Sequence, residues 1–370
     1  MPFTLTSNIK VKMKPWILLV GLILFGTGCQ TITYYTQAAR GQLQIISSQE
    51  EIFDLINDPT KPEKIRQQLN LVSDLREFAK ANLGVDPKDN YRRYRDLNRK
   101  YVLWVVYAAP QFSTELKSWW YPIVGNMTYR GFFNETDARS FASKMQGEDM
   151  DVHIGGTPAY STLGWFDDPV LNTFVNYREE DLADLIFHEL AHHHLFVKGD
   201  TTFNESFATA FAQIGVTEWA KAKQNPQALK DYLARRQTKH MVNQLYVQKK
   251  IELKAIYESL ETEEEKREAK KQFIAEFRQQ LNDMSLSDPR LSKLAILAKR
   301  PINNAVLGAR AAYHQYVPAF HRLYGESNQD MRIFLDKVQA ISKLNKLERN
   351  TLLDKYSRQD EMPVKKLLTN

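Results

Sequence analysis

Cysteine, flexible linkers and long apolar runs are what this sequence has least of. Cys29 is the only cysteine in 370 residues, so no disulfide can form within the chain. The apolar stretch from Trp16 to Phe25 has ten residues, whereas a helix that spans a bilayer needs about 20. No Ser/Gly-rich linker, low-complexity tract or repeat divides the chain, which favours one folded unit over two.

Residues 1–28 have the pattern of a signal peptide. Three lysines precede the short apolar stretch, and the small residues Gly26-Thr27-Gly28 stand directly before Cys29. Removing this segment takes away three lysines and no acidic residue, which lowers the formal charge from +6 to +3. The basic composition of the whole chain therefore overstates that of the folded part, predicted as a single domain over 29–370.

The position of Cys29 after Gly-Thr-Gly resembles the lipobox of bacterial lipoproteins. This resemblance implies that Cys29 carries a lipid that anchors the protein to the periplasmic side of the cell envelope. Gln30 is not the Asp that favours retention in the inner membrane, so the outer membrane of a Gram-negative bacterium is the predicted location. Met13 also begins a complete signal, which leaves Met1 and Met13 open as the start.

A nucleic-acid surface is not expected, because no cluster of Lys and Arg with interleaved aromatic residues stands out. The segment from Tyr91 to Arg95 reads Tyr-Arg-Arg-Tyr-Arg. We interpret it as the solvated face of a helix, and we predict no nucleic-acid partner.

Half of the eight histidines lie within the seven residues from 188 to 194. His188-Glu189-Leu190-Ala191-His192 stands on a predicted helix, which Asn176 and Glu179 would start as a capping box. His188 and His192 are one turn apart on the same face, so both imidazoles can reach one metal ion. Glu189 lies about 100° around the helix from His188, where it can address a water molecule without being a ligand.

A catalytic zinc site needs a third protein ligand. Lys198 occupies the position where a metzincin would have its third histidine, which excludes that class. Glu205 follows Asn204 early in an apolar helix and is the predicted third ligand, with Asp200 as the alternative. His193 could be a fourth ligand only if the helix were distorted.

The two motifs together resemble the gluzincin metallopeptidases, whose third ligand lies in an Asn-Glu-x-x-Ala segment. More closely, the chain is similar to a family of bacterial predicted aminopeptidases with a lipoprotein signal. The gap of twelve residues between His192 and Glu205 is shorter than in better-known gluzincins, so the assignment of Glu205 rests on the motif. The matching segments are TYYTQAARGQL near residue 33, YRGFFNETDARSFA at 129, GGTPAYSTLGWFDDPVL at 155, FHELAHHHLF at 187, FNESFATAFA at 203 and INNAVLGARAAYHQYVPAF at 302.

Three β-type segments, 101–107, 121–129 and 152–163, precede the histidine-rich helix. This order is expected of a zincin-like core, so we predict an α+β fold that is predominantly helical. Gly155 and Gly156 would lie on the edge strand that borders the cleft and pairs with the substrate backbone, where Pro158 is tolerated.

Four further residues are candidates for the chemistry. Tyr160 or Tyr313 could donate a hydrogen bond to the oxyanion, and Asp167 or Asp168 could bind the substrate α-ammonium group. Simpler roles stay open for all four, because tyrosines pack at interfaces and Asp-Pro opens turns.

Long charged helices follow residue 222. They are predicted from Pro226 to Leu260 and from Thr262, with Glu265 in its capping box, to Leu281. Their many Lys, Arg and Glu residues predict a protruding, solvated hairpin. The predicted segments are 29–99 (helical), 100–222 (sheet and active-site helices), 223–297 (helical hairpin) and 298–370 (C-terminal helices).

These patterns predict a peptidase that uses one zinc ion, held by His188, His192 and Glu205, with Glu189 as the general base. The aminopeptidase activity is implied by the resemblance, and an endopeptidase with the same zinc core is the near alternative. A lipid-anchored interaction protein with a structural metal is a further alternative, although structural zinc is usually closed by four ligands. The expected partners are peptide substrates and the membrane, and the oligomeric state stays open.

Overall fold

Helices form most of the chain, and short strands fill the region before the histidine-rich helix. A computed structural model of the protein describes residues 29–121, 125–159, 167–311 and 316–358. The helices are α1 (Cys29–Ile46), α2 (Ile52–Asn57), α3 (Glu63–Asn82), α4 (Glu135–Gly147), α5 (Glu179–His194), α6 (Thr201–Ala222), α7 (Pro226–Ser259), α8 (Glu263–Ser287), α9 (Leu294–Lys299), α10 (Asn304–Ala311), α11 (Val317–Gly325), α12 (Met331–Ser342) and α13 (Lys346–Arg358). The strands are β1 (Glu50–Glu51), β2 (Arg93–Arg95), β3 (Leu103–Pro110), β4 (Trp119–Tyr121), β5 (Gly125–Met127), β6 (Arg130–Phe132), β7 (Met150–Thr157) and β8 (Val170–Leu171).

The predicted class, α+β and predominantly helical, is confirmed by these elements. Strands were predicted in three segments: β3 and β7 overlap the first and the last, and β5 with the final residue of β4 lies in the second. Among the described residues, no helix has the length and the apolar composition needed to cross a membrane.

Helix α3 packs its apolar stripe against the helices that carry the two motifs. The stripe is buried from Leu69 to Phe78, as its helical spacing predicts. The Phe78 ring centroid lies 6.2 Å from that of Phe187 in α5 and 5.1 Å from that of Trp219 in α6. Gly84 then takes a φ of +68°, a left-handed conformation that glycine adopts without strain and that ends helices.

The main sheet has three antiparallel strands in the order β6-β3-β7. Along the part of β7 that the structure describes, β3 is its only partner, so β7 is an edge strand as predicted. Gly155 lies opposite Val105 and Gly156 lies opposite Trp104. A Cβ atom on Gly156 would come within 2.3 Å of the Tyr101 ring, so close packing requires glycine there whether or not substrate binds.

The segment from Tyr91 to Arg95 is not a solvated helix, and that interpretation is wrong. Strand β2 lies here, antiparallel to β1 and parallel to β8. Tyr91 is 2% exposed, and its backbone N–H donates a 2.7 Å hydrogen bond to the carbonyl oxygen of Asp168. Pairing with segments that are distant in sequence decides the conformation, and local composition does not reveal it.

Helices α7 and α8 form the predicted hairpin, and the Thr262–Glu265 capping box is present. The hairpin is not a solvated arm, however, because its inward faces and the segment after it form an apolar cluster. None of the charged residues of α7 and α8 is buried. The buried members of the cluster are Val242, Tyr246, Leu253, Tyr257, Phe273, Phe277, Leu281, Leu291, Leu294, Ala298, Ile302, Val306 and Leu307.

Polar contacts also fix this hairpin to the rest of the fold. Lys270 Nζ lies 2.6 Å from Asp151 Oδ2 in β7. The Tyr257 hydroxyl donates a 3.0 Å hydrogen bond to Asn304 Oδ1 in α10. Helix α7 is therefore held beside the sheet and the site helices, where its side chains can contribute to a cavity.

The C-terminal helices cover the buried face of α6. The Phe320 ring of α11 lies 5.5 Å from the Phe203 ring and 5.7 Å from the Phe207 ring. Arg349 of α13 reaches the start of α6, where its Nη2 and Nε atoms lie 2.6 and 2.9 Å from Asp200 Oδ2. Both partners of this ion pair are almost completely buried.

Candidate active site

Helices α5 and α6 pack side by side and bring the two predicted motifs together. Helix α5 begins at Glu179, and Arg178 at its N-cap supplies no side-chain bond, so the capping box predicted for Asn176 is wrong. The Glu179 carboxylate instead accepts a 2.8 Å hydrogen bond from the indole N–H of Trp219, near the end of α6. This contact joins the first turn of α5 to the last turns of α6.

Asn204 holds the connection between the two helices. Its side-chain amide donates to the carbonyl oxygen of Val197 and its side-chain oxygen accepts from the Val197 N–H, both at 2.8 Å. Gly199 supplies the turn with a φ of +78°. Because Glu205 follows Asn204 directly, the same bonds fix the start of α6 where this carboxylate projects.

His188, His192 and Glu205 direct their donor atoms into one common space. The two Nε2 atoms are 3.2 Å apart. The Glu205 oxygens lie 3.4 Å from His188 Nε2 and 3.7 Å from His192 Nε2. Ligands about 2.0–2.1 Å from a tetrahedral zinc ion lie about 3.3 Å from each other. The spacing and the chemistry of these three side chains therefore fit one zinc ion.

The two histidines of the triad differ in their pKa shifts, and that of His192 suits metal binding. Burial lowers the pKa of His192 to about 4, and the neighbouring His188 and His193 act in the same direction. Burial opposes charge on His188 as well, but the hydrogen bond and the negative charge of Glu205 outweigh it and raise the pKa of His188. The neutral imidazole of His192 is the form that ligates a metal.

Glu189 lies beside this triad without belonging to it. Its side chain is 9% exposed. Burial raises the pKa of its carboxyl group to about 7, and the carboxylates of Glu205 and Asp168 contribute in the same direction. A cation held by the three donors would lower that pKa again. The carboxylate is thus placed to exchange a proton beside the metal-binding space.

His193 turns away from the triad and pairs with Asp168. The distance between His193 Nε2 and Asp168 Oδ2 is 2.7 Å, and both side chains are buried. The backbone N–H of Asp168 donates to Asn90 Oδ1, and its carbonyl oxygen accepts from Tyr91. Asp168 was predicted to bind a substrate ammonium group, and here its carboxylate already has a partner.

Among the described residues, neither Asp167 nor Asp200 belongs to the group of converging donors. Asp167 is exposed. It lies near Arg93, whose pKa is raised mainly by Glu51 and to a smaller degree by Asp167. Asp200, the alternative third ligand, is bound to Arg349 and accepts the N–H of Phe203 at the start of α6. Tyr160 and Tyr313 lie outside the described residues.

Comparison with known proteins matches residues 33–353 to a family described as "Putative aminopeptidase". The chain belongs to this family. Searches of curated proteins and of solved structures found no match. Membership of the aminopeptidase family supports a peptidase, in agreement with the resemblance that the motifs imply.

Tyr129 lies near the site, although the sequence did not identify it as a candidate site residue. Burial, followed by the charges of Glu205 and Glu189, raises the pKa of its phenol. Its ring centroid lies 5.8 Å from that of Tyr107 in β3. The tyrosine therefore keeps its proton beside the two carboxylates of the site. No spacing relates it to the histidine motif, because it lies in the bend between β5 and β6.

Proposed function

We propose that the protein is a zinc-dependent peptidase with a zincin-like core, anchored at the cell envelope. The observation that carries the proposal is the convergence of His188, His192 and Glu205, with Glu189 beside them. Three protein donors leave room for water, whereas structural zinc is usually closed by four. His193 is engaged with Asp168 and is not available as a fourth donor, which favours the enzyme over a structural metal site.

The three donors would hold zinc, which when bound lowers the pKa of water towards about 7 and polarises the scissile carbonyl group. Glu189 takes a proton from the attacking water molecule and delivers it to the leaving amine. Because Glu189 is buried, bulk water has little access to its carboxylate. The chain supplies the general base and holds it beside the attacking water molecule. Hydrolysis of the peptide bond yields one carboxyl group and one amino group.

An aminopeptidase is the favoured form of this activity, because the family model carries that description. We expect zinc-loaded protein to trim unblocked peptides from the N-terminus. N-acetylated copies should be cleaved at least about 100-fold more slowly, since an enzyme that binds a terminal ammonium group pairs it with an acid worth roughly 3 kcal/mol. Mass spectrometry of a digested peptide library measures both rates, and a chelator should stop the reaction.

Equal cleavage of both peptide forms at internal bonds would identify an endopeptidase and leave the zinc proposal intact. No cleavage of any peptide by zinc-loaded protein would contradict the peptidase itself. Asp167→Asn and Asp168→Asn, measured separately, locate the ammonium partner through a raised KM for unblocked peptides. Because Asp168→Asn also removes the partner of His193, an effect of Asp167→Asn is the more direct result.

Anchoring is proposed from the sequence before and at Cys29, where helix α1 begins. The wild-type protein is expected in the membrane fraction with an acyl chain on Cys29, because two or more acyl chains give stable attachment. Cys29→Ser should shift the protein out of that fraction. If this variant sediments with membranes as the wild type does and the intact mass of the wild type shows no acyl group, the protein is not a lipoprotein.

A further inference from the structure

A cavity of about 330 Å³ opens beside two of the metal donors. Its size is at the lower end of the range for small-ligand pockets, about 300–1,000 Å³. We call it the basic cavity, because three of its lining residues, Arg236, Lys239 and Arg310, carry a positive charge. Its lining includes the carboxylates of Asp184 and Glu205 together with His188, Arg236, Lys239, Asn243 and Arg310.

The positive charge of the basic cavity is only partly compensated. Arg236 Nη1 lies 3.2 Å from Asp184 Oδ2, whose other oxygen accepts a 2.6 Å bond from the Tyr232 hydroxyl. Within the described ranges, neither Lys239 nor Arg310 forms an ion pair with a carboxylate. Desolvation by the surrounding protein and the charges of Arg236 and Arg310 lower the pKa of Lys239, and the carboxylates of Asp184 and Asp181 only partly oppose this shift.

Two of the cations, Arg236 and Arg310, are held in place by contacts with the fold, whereas Lys239 is exposed. The Arg310 guanidinium carbon lies 4.5 Å from the centroid of the Tyr246 ring, a cation–π contact within the hairpin cluster. Arg236 is oriented by its ion pair with Asp184 of α5. Asn243 is 9% exposed and adds a neutral hydrogen-bonding group to the wall. Such fixed donors lose little freedom when an anion binds.

We propose that the basic cavity is a subsite for a carboxylate group of the peptide substrate. Arginine binds carboxylates through two parallel hydrogen bonds, and a ligand with negative charge would relieve the repulsion among the three cations. A substrate ammonium group would be repelled from the same wall. The carboxylate can belong to an acidic side chain or to a free C-terminus, and the two sources share the chemistry that the cavity recognises.

The inference rests on the proposed function, since the cavity shares His188 and Glu205 with the proposed zinc site. A carboxylate in the cavity would therefore belong to a residue next to the scissile bond. Peptides that carry a carboxylate at this place are expected to be the preferred substrates. The position of the cations on α7 and α10 gives the long hairpin a direct part in specificity.

The test uses zinc-loaded protein and matched peptide pairs. One arm compares Glu with Gln in amidated peptides, and the other compares a free C-terminus with its amide in neutral peptides. In at least one arm we expect kcat/KM to be about 10- to 100-fold higher for the acid, mainly through KM, as for charge-assisted hydrogen bonds. The arm that shows the difference identifies the source of the carboxylate.

Variants then assign the preference to the cavity. Arg310→Gln and Lys239→Gln should each reduce the ratio of acid to amide by about tenfold. Lys239 is exposed, so its variant should keep the fold even if Arg310→Gln disturbs packing on Tyr246. The matched control is Lys230→Gln, which removes one charge from an exposed position of α7 outside the cavity and should keep the wild-type ratio.

Calorimetric titration of the same zinc-loaded proteins with each peptide separates this inference from the activity. Tighter binding of the acid that is weakened by Arg310→Gln or Lys239→Gln supports the subsite even where no hydrolysis is seen. Hydrolysis or binding with an acid-to-amide ratio near one in both arms overturns it and leaves the peptidase standing. A preference that both variants retain also overturns it, because the carboxylate then binds the metal alone.

Discussion

Glu189→Gln is expected to lower kcat for peptide hydrolysis by about 10²–10⁴-fold, the usual contribution of a general base. The zinc content should stay at the wild-type level, because the Glu189 carboxylate is not one of the three converging donors. Glutamine fills the same buried space and cannot accept a proton from water. Rapid-reaction or steady-state kinetics and elemental analysis of the same sample measure the two effects.

Replacement of a donor should remove the zinc as well as the activity. His192→Ala and Glu205→Ala are expected to lose zinc and, with it, activity. His194→Ala is the matched control, because His194 is exposed in the same helical turn and is not among the donors. Retention of turnover by Glu189→Gln would move the base elsewhere, and full zinc content without Glu205 would move the third ligand.

Arg349→Met is expected to reduce the free energy of unfolding by about 3–5 kcal/mol, the cost of removing one partner from a buried ion pair. It leaves the Asp200 carboxylate without Arg349 in a site where the two side chains are 3% and 4% exposed. The guanidinium also donates a 2.7 Å hydrogen bond to the carbonyl oxygen of Leu344, which the variant loses. Urea denaturation of the zinc-loaded protein measures the change.

The double variant Asp200→Asn/Arg349→Met should recover much of this loss, because no uncompensated charge remains and asparagine can still cap α6. Arg139→Met is the control at an exposed ion pair with Glu135 and should cost less than about 1 kcal/mol. A loss no larger for Arg349→Met than for Arg139→Met would show that the buried pair adds nothing to stability.

The helical spacing of His188 and His192 was sufficient to predict that they face one space, because four residues make one turn. Glu205 could be predicted as the third donor only from its motif, because its distance from the histidines depends on the turn held by Asn204 and on the packing of α6. Strand β7 and its edge position followed from composition and proline tolerance. In each case the deciding interactions are local in sequence or belong to a known pattern.

The remaining parts of the site depend on contacts between distant segments. Asp168 meets His193 across 25 residues, and Arg310 joins Lys239 only after the hairpin has folded back onto α10. The hairpin itself was predicted as solvated because its charged outer faces conceal the apolar stripe that Tyr246 and Phe277 form inside. The composition of a helix gives the number of its charged residues, but the direction in which their side chains point depends on how the helix packs.

The α5–α6 pair is fastened at both ends, by Glu179 with Trp219 at one and by Asn204 with Val197 at the other. The conformational entropy of the three donors is therefore lost when the helices pack, and not when an ion binds. A flexible peptide with the same donors would lose that entropy on binding and would hold zinc more weakly. Unlike a zinc finger, whose fold exists only with its metal, this helix pair has its three donors brought together in advance by the hydrophobic core.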